Sequence, residues 1–277
     1  MTATLTELPS ALQTYWAAAR SIARRPGAVS DLPPLSLRLT GVRTEAARLA
    51  GYCAVCGLTP GQTLPLTYPQ VAVAGLHMAL MNQPKFPLPL LGLVHVRNRI
   101  RQERAIPVEA VYDAAVRIDN PRIVRAGLEF DLVTDVTVDG EPVWSAVTTI
   151  IHRQPGPKTP GAKPQKDEAA SASLAQYDRF AVPEDTGRRY AGVSGDYNPI
   201  HVHALTAKLF GFPRAIAHGM WSVARCLGAL EPQLAAPASA LDVAFKQPLL
   251  LPGVVALKSV VDGEAIDFSL MSSKSGK

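Results

Sequence analysis

Residues 190–203 read Tyr-Ala-Gly-Val-Ser-Gly-Asp-Tyr-Asn-Pro-Ile-His-Val-His, and the reading of the whole chain turns on them. Gly195 lets the backbone turn sharply, and Asp196 follows it. Asn198 and Pro199 favour a further turn, with Pro199 suited to the first position of a helix. His201 stands just inside that helix start, ahead of Ala204–Phe210. A carboxylate on the turn and an imidazole one helical turn later can converge on one small volume, and glycine and proline fix that geometry. Taken singly, Asp196 can equally be a turn or cap residue and His201 an exposed residue at a helix start. A metal site of Asp196, His201 and His203 is disfavoured, because residues two apart on a helix point to nearly opposite sides. Gly192-Val-Ser-Gly195 lacks the G-x-S-x-G spacing of a serine nucleophile.

Downstream, helices are expected near Ala204–Phe210 and Ile216–Leu230. Strands follow near Leu241–Gln247, Val254–Val261 and, after the turn Asp262-Gly263, Glu264–Ser272. The upstream sequence repeats this plan. A helix near Gln70–Asn82 precedes strands at Leu93–Arg101, Ala110–Ile118, Gly127–Asp139 and Glu141–His152, with Asp139-Gly140 as a hairpin signal. Between the two runs lies QPGPKTPGAKPQKDEAASAS at 154–173, rich in proline and lysine and without apolar period. It reads as a linker, dividing the chain into 1–153 and 174–277. Leu76-His77-Met78 echoes Ala217-His218-Gly219-Met220, and the shared order of elements favours an internal repeat of a helix wrapped by an antiparallel sheet, an α+β plan. Residues 1–60 add two amphipathic helices to the first half.

The composition sets the remaining bounds. With 277 residues, 47% hydrophobic and 18% charged, the chain is no disordered polymer. Prolines number 24, roughly one residue in twelve against about one in twenty on average, and the linker accounts for part of that excess. A net charge of +5 is too small for a dedicated nucleic-acid binder. The first residues lack the basic start and apolar core of a secretory signal, and no apolar run is long enough to span a bilayer. A cytoplasmic location without membrane or nucleic-acid partners is therefore expected. Cys53 and Cys56 form a C-x-x-C, but they fall on the apolar stripe of a helix over Val42–Cys56 and read as small buried residues.

The run Gly195-Asp196-x-Asn198-Pro199-x-His201 resembles the signature of the MaoC-like hydratase/dehydratase family, and Ala217-His218-Gly219-Met220 is similar to that family's second segment. The resemblance implies a double hotdog: a catalytic copy at 174–277 and a degenerate copy in 1–153 that lacks any D-x-N-P-x-H. It implies reversible dehydration of (3R)-hydroxyacyl thioesters to trans-2-enoyl thioesters in fatty-acid metabolism, with no cofactor and no metal. The substrate would arrive on coenzyme A or acyl carrier protein, and a homodimer is compatible with the plan.

That chemistry needs a base for the C2 proton, an acid for the departing hydroxyl and donors for the thioester oxygen. The resemblance assigns Asp196 and His201 to the acid–base pair and the Gly219 amide to the oxyanion, where a glycine lets substrate approach the main chain. Gly195, Asn198 and Pro199 support the loop, Ser194 is a candidate for lining the entrance, and His218 reads as a packing or hydrogen-bonding residue. His95, Arg97, Arg99 and Arg101 share one strand face by period two, either an anion-docking stripe for the carrier or a solvated face. Two other readings are a non-catalytic acyl-thioester-binding module and a hotdog thioesterase. The retained Asp196 and His201 argue against the first, the intact D-x-N-P-x-H against the second.

Overall fold

The structure is a computed structural model and describes residues 3–9, 13–14, 17–18, 21, 31–90, 92–153, 175–234 and 239–273. The linker expected at 154–173 lies outside the described residues. The first half contributes β1 (Ala3–Leu5), β2 (Ser36–Val42), α1 (Ala46–Cys56), α2 (Tyr68–Ala72), α3 (Ala74–Met81), β3 (Leu93–Gln102), β4 (Tyr112–Val124), β5 (Gly127–Val138) and β6 (Glu141–Arg153). The second contributes β7 (Ala175–Val182), α4 (Thr186–Ser194), α5 (Pro199–Val202), α6 (Ala204–Leu209), α7 (Gly219–Leu230), a short 3-10 turn, β8 (Ala240–Ala244), β9 (Gly253–Asp262) and β10 (Ala265–Ser272).

One sheet has the order β1-β2-β4-β5-β6-β3-β8 and the other β10-β9-β7. All pairings are antiparallel except β1 on β2. The expected hairpin at Asp139-Gly140 forms with φ of +53° and +83° at its two central residues, as a primed turn requires. The seventh strand is unexpected: β8 comes from the second half but pairs with β3, Arg97 opposite Ala244 and Arg101 opposite Ala240. Within the first half, β6 sits between β5 and β3. Among the described residues no strand occupies the matching place between β10 and β8.

The helix expected over 70–82 is present but divided at Val73, with Pro69 in the first turn of α2. Its inner side chains Leu76 and Leu80 join Phe86, Phe130, Leu132 and Trp144 in the core. One buried polar bond locks it to the sheet, His77 Nε2 to Thr134 Oγ1 at 2.7 Å, and a second, Trp144 Nε1 to the Leu66 carbonyl at 2.8 Å, holds the chain just ahead of it. Of the two helices expected in residues 1–60, α1 is one; it starts at Ala46 and not at Val42, which ends the strand β2. Strand β7 and helix α4 were not expected. Cys53 and Cys56 are buried free thiols on α1, and burial pushes Cys56 up to about 12, as fits a packing role. No helix among the described residues is long and apolar enough to cross a membrane.

Candidate active site

Helix α4 stops where Gly195 takes the left-handed conformation at φ +78°, its N–H returning to the Ala191 carbonyl at 2.8 Å. The chain then builds the turn from its own side chains. Ser194 Oγ accepts from the Asp196 amide at 3.1 Å, Asp196 Oδ1 accepts from the Asn198 amide at 3.1 Å, and Asn198 Oδ1 accepts from the Ile200 amide at 3.3 Å. Asn198 thus caps α5, and Pro199 occupies the first turn. Gly195, Asn198 and Pro199 have the loop geometry expected of them. Ser194 does not: it is buried and spends its hydroxyl on the turn, so it braces Asp196 rather than lining an entrance.

His201 Nδ1 donates to the Ile216 carbonyl at 2.8 Å, leaving Nε2 with the lone pair in the neutral ring. Burial lowers its pKa, while the Asp196 charge and the Ile216 carbonyl pull the other way. Its backbone is fixed as well, since a Cβ on Gly187 of α4 would overlap the His201 carbonyl oxygen. His203 is separate. It lies at the break between α5 and α6 and caps α6, its Nδ1 accepting from the Leu205 amide at 3.1 Å.

A third group joins Asp196 and His201. The His218 ring stacks on the His201 ring with centres 3.8 Å apart and planes at 27°. Its Nε2 donates to the Asp196 carbonyl at 2.9 Å and lies 3.8 Å from Asp196 Oδ2. Burial, and next the neighbouring His201, hold its pKa far below the usual histidine value. The sequence reading gave His218 a packing or hydrogen-bonding role; the stack on His201 depends on tertiary approach and has no signature in spacing. One donor atom each from Asp196, His201 and His218 falls within 4.8 Å of the others. His218 Nε2 is committed to the Asp196 carbonyl, while its Nδ1 is buried without a hydrogen-bond partner.

Gly219 opens α7, directly after His218, so its amide is among the unpaired N–H groups of a helix N-terminus. The close neighbour that this glycine admits is a side chain: a Cβ there would lie 2.9 Å from Cε1 of Phe245. His95 packs edge-on against the same Phe245 ring at 4.9 Å. That contact corrects the expected stripe. A β-bulge between His95 and Arg97 turns His95 to the opposite face from the arginines. The arginines are themselves engaged, Arg97 with Glu129 and both Arg99 and Arg101 with Asp242 at 2.6 Å.

The chain resembles known proteins over nearly its whole length. Residues 157–274 match the model of the MaoC like domain. The chain is 35% identical over 273 residues to a Mycobacterium tuberculosis protein named 3-hydroxyacyl-thioester dehydratase X, covering 97% of this chain and 95% of that one. A crystal structure of HtdX from the same organism superimposes with a TM-score of 0.75 at 35% identity, covering 85% of this chain and 94% of that chain. At 17% identity, a MaoC-like dehydratase from Phytophthora capsici shares the fold with a TM-score of 0.67, covering 90% of this chain and 93% of that one. A further M. tuberculosis protein, described as a double hotdog, does so at 12% identity and a TM-score of 0.52, with coverage of 85% and 88%. The chain belongs to the MaoC-like dehydratase family and is built as a double hotdog.

Proposed function

We propose that the protein is a hydro-lyase that interconverts (3R)-hydroxyacyl and trans-2-enoyl thioesters, with Asp196 and His201 as its acid–base pair. The observation that carries the reading is the juxtaposition of the Asp196 carboxylate, the free Nε2 of His201 and the start of α7. In the dehydration direction the pair removes the C2 proton and protonates the C3 hydroxyl, which leaves as water. Negative charge gathering on the thioester oxygen meets the Gly219 amide at the positive end of α7. The mycobacterial relative, matched over 95% of its length, is named 3-hydroxyacyl-thioester dehydratase X.

Residues 174–277 form the catalytic copy in this reading, and 1–153 the non-catalytic one, joined by the linker at 154–173. The first half has no D-x-N-P-x-H. His77, which echoes His218 in sequence, is there bonded to Thr134, and burial lowers its pKa to about 4. The substrate is an acyl thioester carried by coenzyme A or acyl carrier protein; a homodimer is compatible with the plan, and light scattering would count the chains.

One assay decides the reaction class. With a trans-2-enoyl thioester, hydration consumes the enoyl absorbance without releasing thiol, a thioesterase releases thiol, and a binding module does neither. Asp196→Asn and His201→Ala should each lower turnover by about 10²-fold or more with unchanged circular dichroism. Full activity in either variant overturns the assignment of that residue.

A further inference from the structure

Helix α4 carries the putting-together of the site at both ends. Its first turn receives the His201 backbone at Gly187, and its last residue leads through Gly195 into Asp196. A small tilt of α4 would therefore displace both members of the pair relative to Gly219. Yet its own last turn contains no basic residue to meet the exposed carbonyls of a helix C-terminus. The cation comes from the other half of the chain. Arg48 on α1 donates through Nε to the Val193 carbonyl at 2.7 Å and through Nη2 to the Ser194 carbonyl at 3.1 Å, across 145 and 146 residues of sequence. The same Nη2 would stand 4.0 Å from a Cβ on Gly195.

The helix that holds Arg48 is itself fixed against the second half. Gly51 of α1 faces Val193, where a Cβ would meet Cγ1 at 3.0 Å. Trp221 of α7 donates to the Val55 carbonyl at 2.9 Å, and Gly228 of α7 packs so tightly on the Gly57 carbonyl that a Cβ would overlap it. Helix α1 thus spans from the end of α4 to α7, the helix whose first residue is Gly219. We propose that Arg48 is a positioning residue for catalysis, a guanidinium fork by which the non-catalytic half sets the Asp196 turn relative to the start of α7. A planar fork presents its donors to two adjacent carbonyls in a fixed geometry, whereas an ammonium is a compact charge on a flexible stem. The proposal rests on the reaction proposed above.

The test uses Arg48→Ala and Arg48→Lys in the full chain. Misplacement of about 1 Å can cost on the order of 10²-fold in rate. Arg48→Ala is therefore expected to lose about 10- to 100-fold in kcat for hydration, with KM changed less than about threefold. Arg48→Lys should recover only part of the loss, and ethylguanidinium added to Arg48→Ala should restore kcat in a saturable way. Hydrogen–deuterium exchange supplies a readout that needs no turnover: amides of residues 191–203 should exchange faster in Arg48→Ala while those of β5 stay as in the wild type. If Arg48→Ala does not fold, Arg48→Met keeps the apolar stem and is measured instead. Wild-type kcat together with unchanged exchange at 191–203 overturns the proposal, as does a loss of kcat that ethylguanidinium leaves untouched. A wild-type protein without hydratase activity would defeat the reaction reading, while the exchange comparison would still decide the role of Arg48.

Discussion

The His218 imidazole lies on that of His201 at 3.8 Å and, from the same ring, donates to the Asp196 carbonyl at 2.9 Å. A single buried side chain therefore touches both members of the proposed pair. Two imidazoles in contact do not both hold a charge, and the one more deeply buried is the harder to protonate. A proton entering the stack goes to His201.

His218→Phe keeps a flat ring against His201 but leaves the Asp196 carbonyl without its donor. The bond lost is part-buried, and such a bond contributes about 0.5–1.5 kcal/mol. Urea unfolding should register that loss, and steady-state hydration should show a lower kcat as the Asp196 turn relaxes.

Burial places the His201 pKa below its ordinary 6.5. With His201 as the base of the proposed pair, its neutral ring accepts the proton in the dehydration direction, and kcat/KM should fall as pH drops through that lowered value. The acid limb is expected to have its midpoint below 6.5, and a midpoint above it would show that another group is being titrated.

His77 and His95 are both lowered to about 4 by burial. The unfolded chain then binds more protons than the native one between about 6.5 and about 4, so stability rises with pH across that window. Each group contributes a slope of at most about 1.4 kcal/mol per pH unit. Urea midpoints should fall as pH is lowered through the window, and His77→Gln should flatten the dependence.

Gly219→Ala would place a methyl 2.9 Å from Phe245 Cε1, overpacking that costs about 1–3 kcal/mol. Phe245→Leu in the same chain should return part of the lost stability. Thermal unfolding of the two single variants and the double variant measures this coupling.

The paired arginines on the β3 face are exposed, with Arg99 at 64% and Asp242 at 53% side-chain exposure. Exposed ion pairs of this kind contribute about 0–1 kcal/mol. Arg99→Ala should therefore shift stability by no more than about 1 kcal/mol, and the KM for an enoyl thioester should stay near the wild-type value. A large rise in KM with a weakened salt dependence would instead mark the face as a carrier contact.

Local sequence was enough wherever local chemistry sets the structure. The turn from Gly195 to His201 is built from glycine, proline and side chain-to-backbone bonds within a few residues of one another, so its geometry could be read in advance. The hairpin at Asp139-Gly140 is a similar case. What escaped depends on partners far along the chain. The face of His95 was decided by a one-residue bulge against β6, which alternation cannot foresee. The His201–His218 stack and the contact of Arg48 with Val193 join residues 17 to 145 positions apart. Helix α4 was overlooked because its apolar face is short and rich in small residues, packing closely instead of presenting a wide hydrophobic stripe.

The placement of β8 on β3 has a consequence for how the molecule can be divided. Cutting the chain at 154–173 would separate the halves on paper, but the first would expose the hydrogen-bonding edge of β3 and the second would lose the anchor of β8. Open edges of that kind invite pairing with other chains. The edge of β3 and the strand β8 thus cover one another, so each half supplies a partner that the other lacks.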